Sequence, residues 1–366
     1  MSHGPLTIVI AGGGTGGHLF PGLAVARTLM AREPHARVSF VGTARGLEAR
    51  VVPQAGFELD LIRSAGLKGK SIAGRLRGAS LLPVGLFDAW QLLSRRRPQV
   101  VVGVGGYSSG PVVLLAALRG MATMVLEQNA VPGLTNRWLA PFVGAAAVTY
   151  DGTLSCFRGK GFVSGNPVRP EFFRAAADVP DTPHPPRLLV VGGSQGSHAI
   201  NVAIVAAAPA LAQQCAGLEI VHQTGARDQA WVQEQYAALG VVVRVVSFLD
   251  DILHELNAAD IVVSRAGATT LAELAALGRA AVLVPLPTAT DDHQRKNAQV
   301  LADAGAARVV DERELSQTDG PTALAQSISG LMADAPARAR MRDAIRAFAR
   351  PDAADRIVSR LLELAA

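Results

Sequence analysis

Two glycine-rich segments of the chain have the composition of loops that approach an anion. Residues 12–18 read GGGTGGH and residues 192–198 read GGSQGSH, and each follows a short apolar run. Glycine at a strand-to-helix turn lets backbone N–H groups come close to a phosphate, and the start of the helix adds partial positive charge. Such a loop can also serve only close packing of helix on strand, so either loop alone indicates an anion site without establishing one.

Two residues have the chemistry of a general base. His18 closes the first loop, and an imidazole with an ordinary pKa of about 6.5 can accept a proton near neutral pH. Glu127 directly follows an apolar run that we expect to be a strand. In open α/β sheets, the residues that bind ligands lie in the loops after the strands. A histidine at a helix start can instead cap or pack, and an acid after a strand can orient loop backbone. The residues therefore leave the base open between His18 and Glu127.

Spacing disfavours three other chemistries. Residues 12–17 satisfy the dinucleotide-binding pattern GxGxxG, but the next apolar run, residues 38–42, ends without an acid about 20 residues on that could hold an adenosine ribose. Residues 69–71 read GKS like the end of a P-loop, yet the leading glycine is missing. The paired acids at 250–251 and 291–292 are typical of solvated turns. We expect no metal site and no cofactor.

The composition describes a globular protein with two domains. The chain has 366 residues, whereas single cores stop growing beyond about 250–300 residues. An apolar fraction of 49% with 18% charged residues is typical of buried parallel strands and argues against disorder. The formal charge of +5 favours anionic partners but is too small to indicate nucleic acid. Cys156 and Cys215 lack CxxC or zinc-ligand spacing and indicate free buried thiols.

Short valine-, leucine- and isoleucine-rich runs alternate with longer alanine- and leucine-rich stretches along the chain. This alternation predicts an α/β fold of two Rossmann-like halves, each with a parallel sheet and an opening glycine loop. The segment GNPVRP at residues 165–170 and the proline-rich stretch after it indicate the hinge. We therefore place one domain at residues 1–165 and the second at residues 166–345. We expect neither a signal peptide nor a bilayer-spanning segment.

Several segments together resemble one known family, the MurG glycosyltransferases, and they occur in order over nearly the whole chain. The segments are residues 13–18 (GGTGGH), 105–111 (GGYSSGP), 127–129 (EQN), 165–169 (GNPVR), 192–196 (GGSQG), 264–268 (SRAGA) with Glu273, and 292–294 (DHQ). The resemblance implies a GT-B fold, in which two Rossmann-like domains with parallel sheets face each other across a cleft. It also implies that a C-terminal helix, about residues 346–366, crosses back onto the first domain.

By this resemblance the chain is an inverting glycosyltransferase of peptidoglycan synthesis. It would move N-acetylglucosamine from UDP-GlcNAc to undecaprenyl-diphospho-MurNAc-pentapeptide, which converts lipid I into lipid II. A UDP-GlcNAc epimerase or a transferase to another lipid would share the fold, and a non-catalytic UDP-sugar-binding protein would share the donor contacts. The order of the glycine motifs favours the MurG reaction, and His18, Glu127 and Glu273 favour an enzyme over a binding protein.

The resemblance also carries site residues onto matching positions of this sequence, with His18 or Glu127 as the base. The donor contacts that it implies are Glu273 to the ribose, the backbone at Leu249 to the uracil, Ser194 and Thr270 to the phosphates, and Asn129 and Gln294 to the sugar. The other substrate-binding positions are Thr15, Gly16, Gly17, Arg169, Ala268, Thr269, Leu271 and Ala272. Without the resemblance, ordinary helix capping would explain the two threonines.

The implied acceptor is held in a bilayer, so we expect the enzyme as a peripheral protein at the cytoplasmic face of the inner membrane. Residues 68–97 combine lysines and arginines with apolar side chains, among them Leu82, Phe87 and Trp90. Apolar anchors flanked by cations suit an anionic membrane surface. A crossover helix that packs its leucines inward and exposes a basic face would have the same pattern. We expect no nucleic-acid partner.

Overall fold

Apolar runs of the sequence form parallel strands in the computed structural model, which describes residues 5–64, 82–177, 184–193, 195–315, 317 and 319–366. The strands of these residues are β1 (Thr7–Gly12), β2 (Arg37–Gly42), β3 (Glu58–Leu61), β4 (Val100–Gly105), β5 (Ala122–Glu127), β6 (Ala145–Val148), β7 (Gly161–Val163), β8 (Arg187–Val191), β9 (Glu219–Gln223), β10 (Arg244–Val246), β11 (Ile261–Ser264), β12 (Ala280–Leu283) and β13 (Arg308–Val309). They form two sheets, ordered β3-β2-β1-β4-β5-β6-β7 and β10-β9-β8-β11-β12-β13.

Helices connect successive strands, as parallel pairing requires. They are α1 (Gly16–Arg32), α2 (Glu48–Gln54), α3 (Leu82–Arg96), α4 (Ser109–Leu118), α5 (Leu134–Leu139), α6 (Pro170–Ala177), α7 (His198–Gln214), α8 (Gln229–Leu239), α9 (Ile252–Ala258), α10 (Ala268–Leu277), α11 (His293–Asp303), α12 (Glu312–Leu315), α13 (Gly320–Ala333), α14 (Ala335–Arg346) and α15 (Ala353–Ala365). Among the described residues, no helix combines the length and the apolar character needed to cross a membrane.

The chain divides into two units, one for each sheet. The first comprises Met1–Val168 together with Arg350–Ala366, and the second comprises Arg169–Ala349. Sequence reasoning placed the first division at residue 165 and the return near residue 346, so each division falls three or four residues later than expected.

The central strands are continuous apolar runs because helices cover the sheets. In the first unit, α1 and α15 contribute to the core on one face of the sheet, and α3 and α4 contribute to the core on the other face. Side chains of α7 and α13 pack with β8, β11 and β12 in the second unit. Parallel sheets that are covered in this way read as unbroken valine and isoleucine runs rather than alternating ones.

Both sheets reverse their strand order near the middle. The chain runs from β1 outward to β3 and then returns to β4 on the other side of β1. The second sheet does the same from β8 to β10 and back to β11. Ligands of open α/β sheets bind outside the carboxyl ends of the strands at such a switch point. The two glycine loops follow β1 and β8, so each stands at a switch point.

The C-terminal helix α15 packs on α1 within the first unit. Ile357, Val358 and Leu361 are fully buried there, and each contributes about 1.5–3 kcal/mol of burial free energy. The guanidinium of Arg32 donates a hydrogen bond to the Ser359 hydroxyl at 2.9 Å. The end of the chain is therefore part of the first unit's core.

The two cysteines differ in their surroundings. Cys215 is buried, and burial raises the pKa of its thiol. Cys156 is exposed in a short 3₁₀ helix over Asp151–Phe157. The prediction of a buried thiol is therefore wrong for Cys156.

Candidate active site

At the first switch point, two loops touch each other through their backbones. The N–H of Gly13 donates to the carbonyl of Gly105 at 3.2 Å. A Cβ atom on Gly12 would lie 2.3 Å from the Gly105 oxygen, and one on Gly106 would lie 2.5 Å from the Gly13 oxygen. Glycine is required at these positions because the two main chains leave no room for a side chain.

A buried carboxylate lies under the first glycine loop. Glu48 is 1% exposed, and its oxygens accept hydrogen bonds from the Gly14 N–H at 2.7 Å and the Thr43 N–H at 2.9 Å. The Thr43 hydroxyl lies 3.1 Å from the same carboxylate. The composition of this loop suggested that it binds the anion of a ligand, but a carboxylate of the protein itself accepts from it.

Three further glycines make room for this carboxylate. Cβ atoms built on Gly13, Gly42 and Gly46 would lie 2.5, 2.2 and 2.1 Å from atoms of the Glu48 side chain. Glu48 is also the first residue of α2, where a negative charge interacts favourably with the helix dipole. The Gly14 N–H therefore already has a strong acceptor, and a phosphate would have to displace it.

Glu48 is a site residue that sequence reasoning missed. An acid that holds a ribose is expected about 20 residues beyond the glycine loop, whereas Glu48 lies 34 residues beyond Gly14. The available signal was the cluster of glycines at 42 and 46 that precedes it.

His18 lies in the first turn of α1 and contacts the neighbouring loops. Its Nδ1 atom is 3.4 Å from the Gln128 side-chain oxygen, and a Cβ atom on Gly105 would lie 2.6 Å from the same Nδ1. The ring is partly buried, whereas Thr15 is exposed at the N-cap of the helix. Gly16 and Gly17 complete this turn. The switch point therefore brings together residues 15–18 and the loop that begins at Glu127.

Glu127 is enclosed by hydrogen-bond donors. One oxygen accepts from the Asn129 backbone N–H at 3.1 Å and the Asn129 amide at 3.2 Å. The other accepts from the Gly133 N–H and the Asn136 amide, both at 2.9 Å. The side chain is 3% exposed, and four donors match the roughly four lone-pair positions of a carboxylate. This geometry orients the loop after β5, including Asn129.

At the second switch point, a guanidinium contacts the glycine loop. The Arg265 guanidinium donates to the Ser197 hydroxyl at 2.6 Å and to the Val284 carbonyl at 3.1 Å, and it forms an ion pair with Glu312. Ser197 caps α7 by accepting from the Ile200 N–H. Ser194, predicted as a phosphate contact, lies outside the described residues. Arg265 therefore links the second glycine loop to the loops after β11 and β12.

A buried polar network supports the second glycine loop. The amide of Asn201, which is fully buried, donates to the Thr224 carbonyl at 3.0 Å and to Asp228 at 2.8 Å. Its oxygen lies 3.0 Å from His222 Nε2, and burial lowers the pKa of His222 to about 3. A Cβ atom on Gly196 would lie 1.9 Å from the Thr224 oxygen. This network, which sequence reasoning missed, fixes the loop against its neighbour after β9.

Helix α10 begins next to this loop with uncapped geometry. Its N-cap is Gly267, which has no side chain that could accept from the first-turn N–H groups. Ala268 and Leu271 are buried, and Thr269, Thr270 and Ala272 are partly buried. A helix start of this kind can receive the oxygens of a diphosphate.

Glu273 lies on α10 close to Arg169. Burial raises the pKa of the Glu273 carboxyl to about 7, and the charge of Arg169 partly opposes that rise. The Arg169 guanidinium stands 4.9 Å from the ring centre of Phe172, on α6, which packs against α10. Leu249 is buried in the loop after β10, at the carboxyl edge of the same sheet.

Gln294 and Asn297 tie α11 to neighbouring loops. The Gln294 oxygen accepts from the Leu286 N–H at 3.0 Å, so its amide N–H₂ is the group that remains to donate to a ligand. Asn297, fully buried and not predicted, donates to the Ala266 carbonyl at 3.3 Å. His293 Nδ1 lies 2.5 Å from the Thr290 carbonyl within its own turn.

The turn before α11 has strained backbone. Asp291 and Asp292 have φ angles of 56° and 57°, a left-handed conformation that is uncommon outside glycine. A cavity of about 230 Å³ lies beside it, lined in part by Pro285, Asp292 and Arg295. Such strain concentrates at functional sites. Within the described residues, no cluster of three or more histidine, cysteine or acidic side chains is arranged to hold a metal ion.

Helix α3 exposes two of the predicted membrane residues. Phe87 and Trp90 are 54% and 51% exposed, and their rings stack with centres 6.4 Å apart. Ala89, Leu92 and Leu93 face the core instead. The side chain of Leu82 and residues 68–81 lie outside the described residues.

Two arginines at the end of α3 form ion pairs. Arg95 and Arg96 pair with Asp60, and Arg96 also pairs with Glu58, which offsets part of the positive charge of the three consecutive arginines at residues 95–97. Arg119, not predicted, donates to the Trp90 carbonyl at 3.4 Å and flanks the aromatic pair.

Comparison with known proteins identifies the class of the molecule. Residues 8–148 match the family described as "Glycosyltransferase family 28 N-terminal domain", and residues 187–357 match "Glycosyltransferase family 28 C-terminal domain". With its two parallel sheets, the protein is an α/β glycosyltransferase of GT-B fold.

Individual relatives narrow this class. The chain is 47% identical over 361 residues to an Anaeromyxobacter sp. (strain K) protein named "UDP-N-acetylglucosamine--N-acetylmuramyl-(pentapeptide) pyrophosphoryl-undecaprenol N-acetylglucosamine transferase", with 98% of this chain and 93% of that protein covered. A Pelobacter propionicus protein of the same name is 44% identical over 379 residues, covering 98% and 99%. The crystal structure of Acinetobacter baumannii MurG matches with a TM-score of 0.78 at 30% identity, covering 98% and 100%. The chain belongs to the MurG family.

A structural likeness to epimerases is confined to the fold. UDP-GlcNAc 2-epimerase from Neisseria meningitidis matches with a TM-score of 0.69 at 14% identity, over 98% of this chain and 99% of that one.

The Glu48 geometry predicts a specific loss of stability. In the parent, N–H donors point at the oxygens of the Glu48 carboxylate. In Glu48→Gln some of these donors would face an amide N–H₂, so we expect the free energy of unfolding to fall by about 1–3 kcal/mol. Urea unfolding measures this loss. Glu33→Gln, at the exposed end of α1, is the matched control and should change stability by less than about 0.5 kcal/mol. Equal midpoints for Glu48→Gln and the parent would contradict the assignment.

Proposed function

We propose that the protein transfers N-acetylglucosamine from UDP-GlcNAc, with inversion, to undecaprenyl-diphospho-MurNAc-pentapeptide, the step from lipid I to lipid II in peptidoglycan synthesis. The observation that carries the proposal is the 47% identity, over 98% of the chain, to a relative named for this transfer. The epimerases share only the fold, and their likeness does not favour their reaction for this chain.

The second unit, residues 169–349, is the donor-binding domain. Its switch point supplies an uncapped helix start, a guanidinium and a partly buried acid, which are complementary to a diphosphate joined to a ribose. Glu273 accepts from the ribose hydroxyls, and the backbone at Leu249 binds the uracil. The residues that contact the phosphates or line the nucleotide are Ser194, Arg169 and the run Ala268, Thr269, Thr270, Leu271 and Ala272. Gln294 and Asn129 bind the sugar.

The first unit, with residues 350–366, is the acceptor-facing domain, lined by Thr15, Gly16 and Gly17. Within it, His18 is the better candidate for the base. A base must keep a lone pair available for the proton that it removes, and both oxygens of Glu127 already accept two hydrogen bonds each. Glu127 then acts by holding Asn129 and the loop after β5.

The leaving group needs stabilisation as its negative charge grows. The N–H groups at the start of α10 and the positive charge of Arg265 at the second switch point supply preorganised electrostatics for this charge. Arg265 reaches the second glycine loop through Ser197, so it also fixes the loop that receives the phosphates.

The acceptor lipid requires contact with a bilayer. We infer a peripheral location at the cytoplasmic face of the inner membrane, with α3 as the contact. Leu82, Phe87 and Trp90 are the proposed apolar anchors, and the two aromatic side chains are exposed. Arg119 is the described cation next to them. Anionic lipid is therefore the expected membrane partner.

The function is tested with purified protein, UDP-GlcNAc and a short-chain lipid-linked acceptor, with water as the competing acceptor. We expect sugar transfer to the lipid and little hydrolysis. His18→Ala should lower kcat by about 10²–10⁴-fold with little change in donor affinity, because a base acts in the transition state. Hydrolysis or epimerisation without transfer would refute the proposed function.

Glu127→Gln separates the two candidate bases. If Glu127 orients the loop, the variant should lose thermal stability together with turnover, since an amide N–H₂ would face donors. Full stability with abolished turnover, beside a His18→Ala variant of near-normal turnover, would identify Glu127 as the base.

The raised pKa of Glu273 predicts pH-dependent donor affinity. Ribose hydroxyls donate to the ionised carboxylate, so below the free-protein pKa of about 7 binding must release a proton. Affinity for UDP-GlcNAc should therefore fall as the pH decreases below about 7, by up to tenfold per pH unit, and level off above it. Calorimetry measures this with UDP-GlcNAc, whose diphosphate does not titrate in this range. Glu273→Gln should bind weakly and without this dependence, and a pH-independent parent would contradict the assignment.

The exposed aromatic pair predicts membrane binding. Replacing Phe87 and Trp90 by serine should lower vesicle sedimentation at any salt concentration, while Arg119→Glu should lower it mainly on anionic vesicles in dilute salt. Trp138→Ser removes a tryptophan from α5 that is even more exposed, and it should have a smaller effect. Unchanged sedimentation of the Phe87/Trp90 variant, with an unchanged melting temperature, would exclude α3 as the membrane contact.

A further inference from the structure

The environment of His18 defines which of its two ring nitrogens carries the hydrogen. We propose that Gln128 is a positioning residue that holds His18 in the Nδ1–H tautomer, which makes Nε2 the basic nitrogen. This inference rests on the proposed role of His18 as the base. It adds a residue to that role and states which atom receives the proton.

The orientation of the Gln128 amide follows from one backbone group. Gln128 is 3% exposed and directly follows β5. Its Nε2 atom lies 3.2 Å from the carbonyl oxygen of Val104, at the end of the adjacent strand β4. A carbonyl oxygen can only accept, so the nitrogen of the amide must face Val104. The amide oxygen is thereby directed to the other side.

The amide oxygen in turn defines the histidine tautomer. Gln128 Oε1 lies 3.4 Å from His18 Nδ1. An amide oxygen has no hydrogen to donate, so the contact requires a hydrogen on Nδ1. In a neutral imidazole the other nitrogen, Nε2, then holds the lone pair. The Val104 carbonyl thus orients the Gln128 amide, and the amide orients the hydrogen on the ring.

Gly105 leaves room for the His18 ring beside Gln128 because it lacks a side chain. A Cβ atom at Gly105 would lie 2.6 Å from His18 Nδ1 and 2.8 Å from Cε1, and the residue has a φ of +100°. Val104 and Gly105 end β4 while Gln128 follows β5, and these strands are parallel neighbours in the sheet. The contacts of the ring with Gln128 and Gly105 therefore depend on the register of the central sheet.

With this tautomer, the protein has an atom that can receive the proton of the acceptor hydroxyl. The acceptor hydroxyl gives its proton to His18 Nε2 as its oxygen forms the bond to the anomeric carbon. The bond from that carbon to the phosphate oxygen breaks, and UDP leaves with the electron pair. His18 becomes an imidazolium whose Nδ1–H still donates to Gln128, in a hydrogen bond strengthened by the charge.

The tautomer is measured by nitrogen NMR on the full-length protein labelled with ¹⁵N-histidine. The His18 signals are assigned by their absence in His18→Gln. Above the pKa of His18 we expect the Nδ1–H tautomer in the parent. Gln128→Met removes the acceptor at similar volume and should shift His18 toward the Nε2–H tautomer. Gln128→Glu, which can present a carbonyl oxygen to Nδ1 and an O–H to Val104, should retain the parent tautomer.

Kinetics report the consequence of the tautomer. Gln128→Met should lower kcat by at least about tenfold with little change in the KM for UDP-GlcNAc, because the wrong tautomer removes proton transfer rather than donor binding. Gln128→Glu should recover part of this loss. Gln54→Met, on the exposed face of α2, is the matched control and should leave tautomer and turnover unchanged. Melting temperatures show that each variant is folded.

Two results would overturn the inference. One is an Nε2–H tautomer of His18 in the parent, and the other is a Gln128→Met variant with unchanged tautomer or unchanged kcat. Either result leaves the proposed function standing, since the transfer assay measures that separately. Conversely, near-normal turnover of His18→Ala would refute the base and would leave the NMR assignment of the tautomer intact.

Discussion

The first unit depends on the contact between a buried carboxylate and the backbone of its opening loop. Glu48 accepts from Gly14 and Thr43, and three glycines leave the space that its side chain occupies. An unpaired buried acid would destabilise the fold by several kcal/mol. The surrounding N–H groups satisfy the carboxylate, and the carboxylate in turn holds the loop that carries them. The same loop begins α1 and therefore sets the position of His18. The first glycine loop has the composition of an anion-binding motif, but its contact with Glu48 gives it a structural role.

The two halves of the molecule share a topology and differ in the charge at their switch points. The first half encloses the carboxylate of Glu48, and the second half places the guanidinium of Arg265 beside its glycine loop. The Gly14 N–H of the first half is already bonded to Glu48, and the proposed anionic donor would instead meet the guanidinium and the helix start of the second half. This difference is consistent with the proposed division of labour, in which the nucleotide binds the second unit and the proton is removed in the first. One charged side chain beside each glycine loop, rather than the glycine pattern, distinguishes the two halves.

The sequence was sufficient for the α/β class, the central strands and the family, because buried parallel strands read as apolar runs and the motifs occur in order. The edge strands β3 and β13 were missed, since half-exposed strands of four and two residues lack such runs. Glu48 and Gln128 were missed for another reason. Their partners are 34 and 110 residues away, at loops that only the sheet order brings together. The pairing of Arg95 and Arg96 with Asp60 is likewise a product of tertiary structure.

Amide hydrogen exchange with and without saturating UDP tests the division of labour most directly. UDP lacks the sugar, so its contacts report the nucleotide alone. Exchange should slow at the start of α10, residues 268–273, and in the loop at residues 192–197. It should remain unchanged at residues 12–14, where Glu48 already occupies the Gly14 N–H. Protection of residues 12–14 by UDP, with none in residues 268–273, would contradict the account.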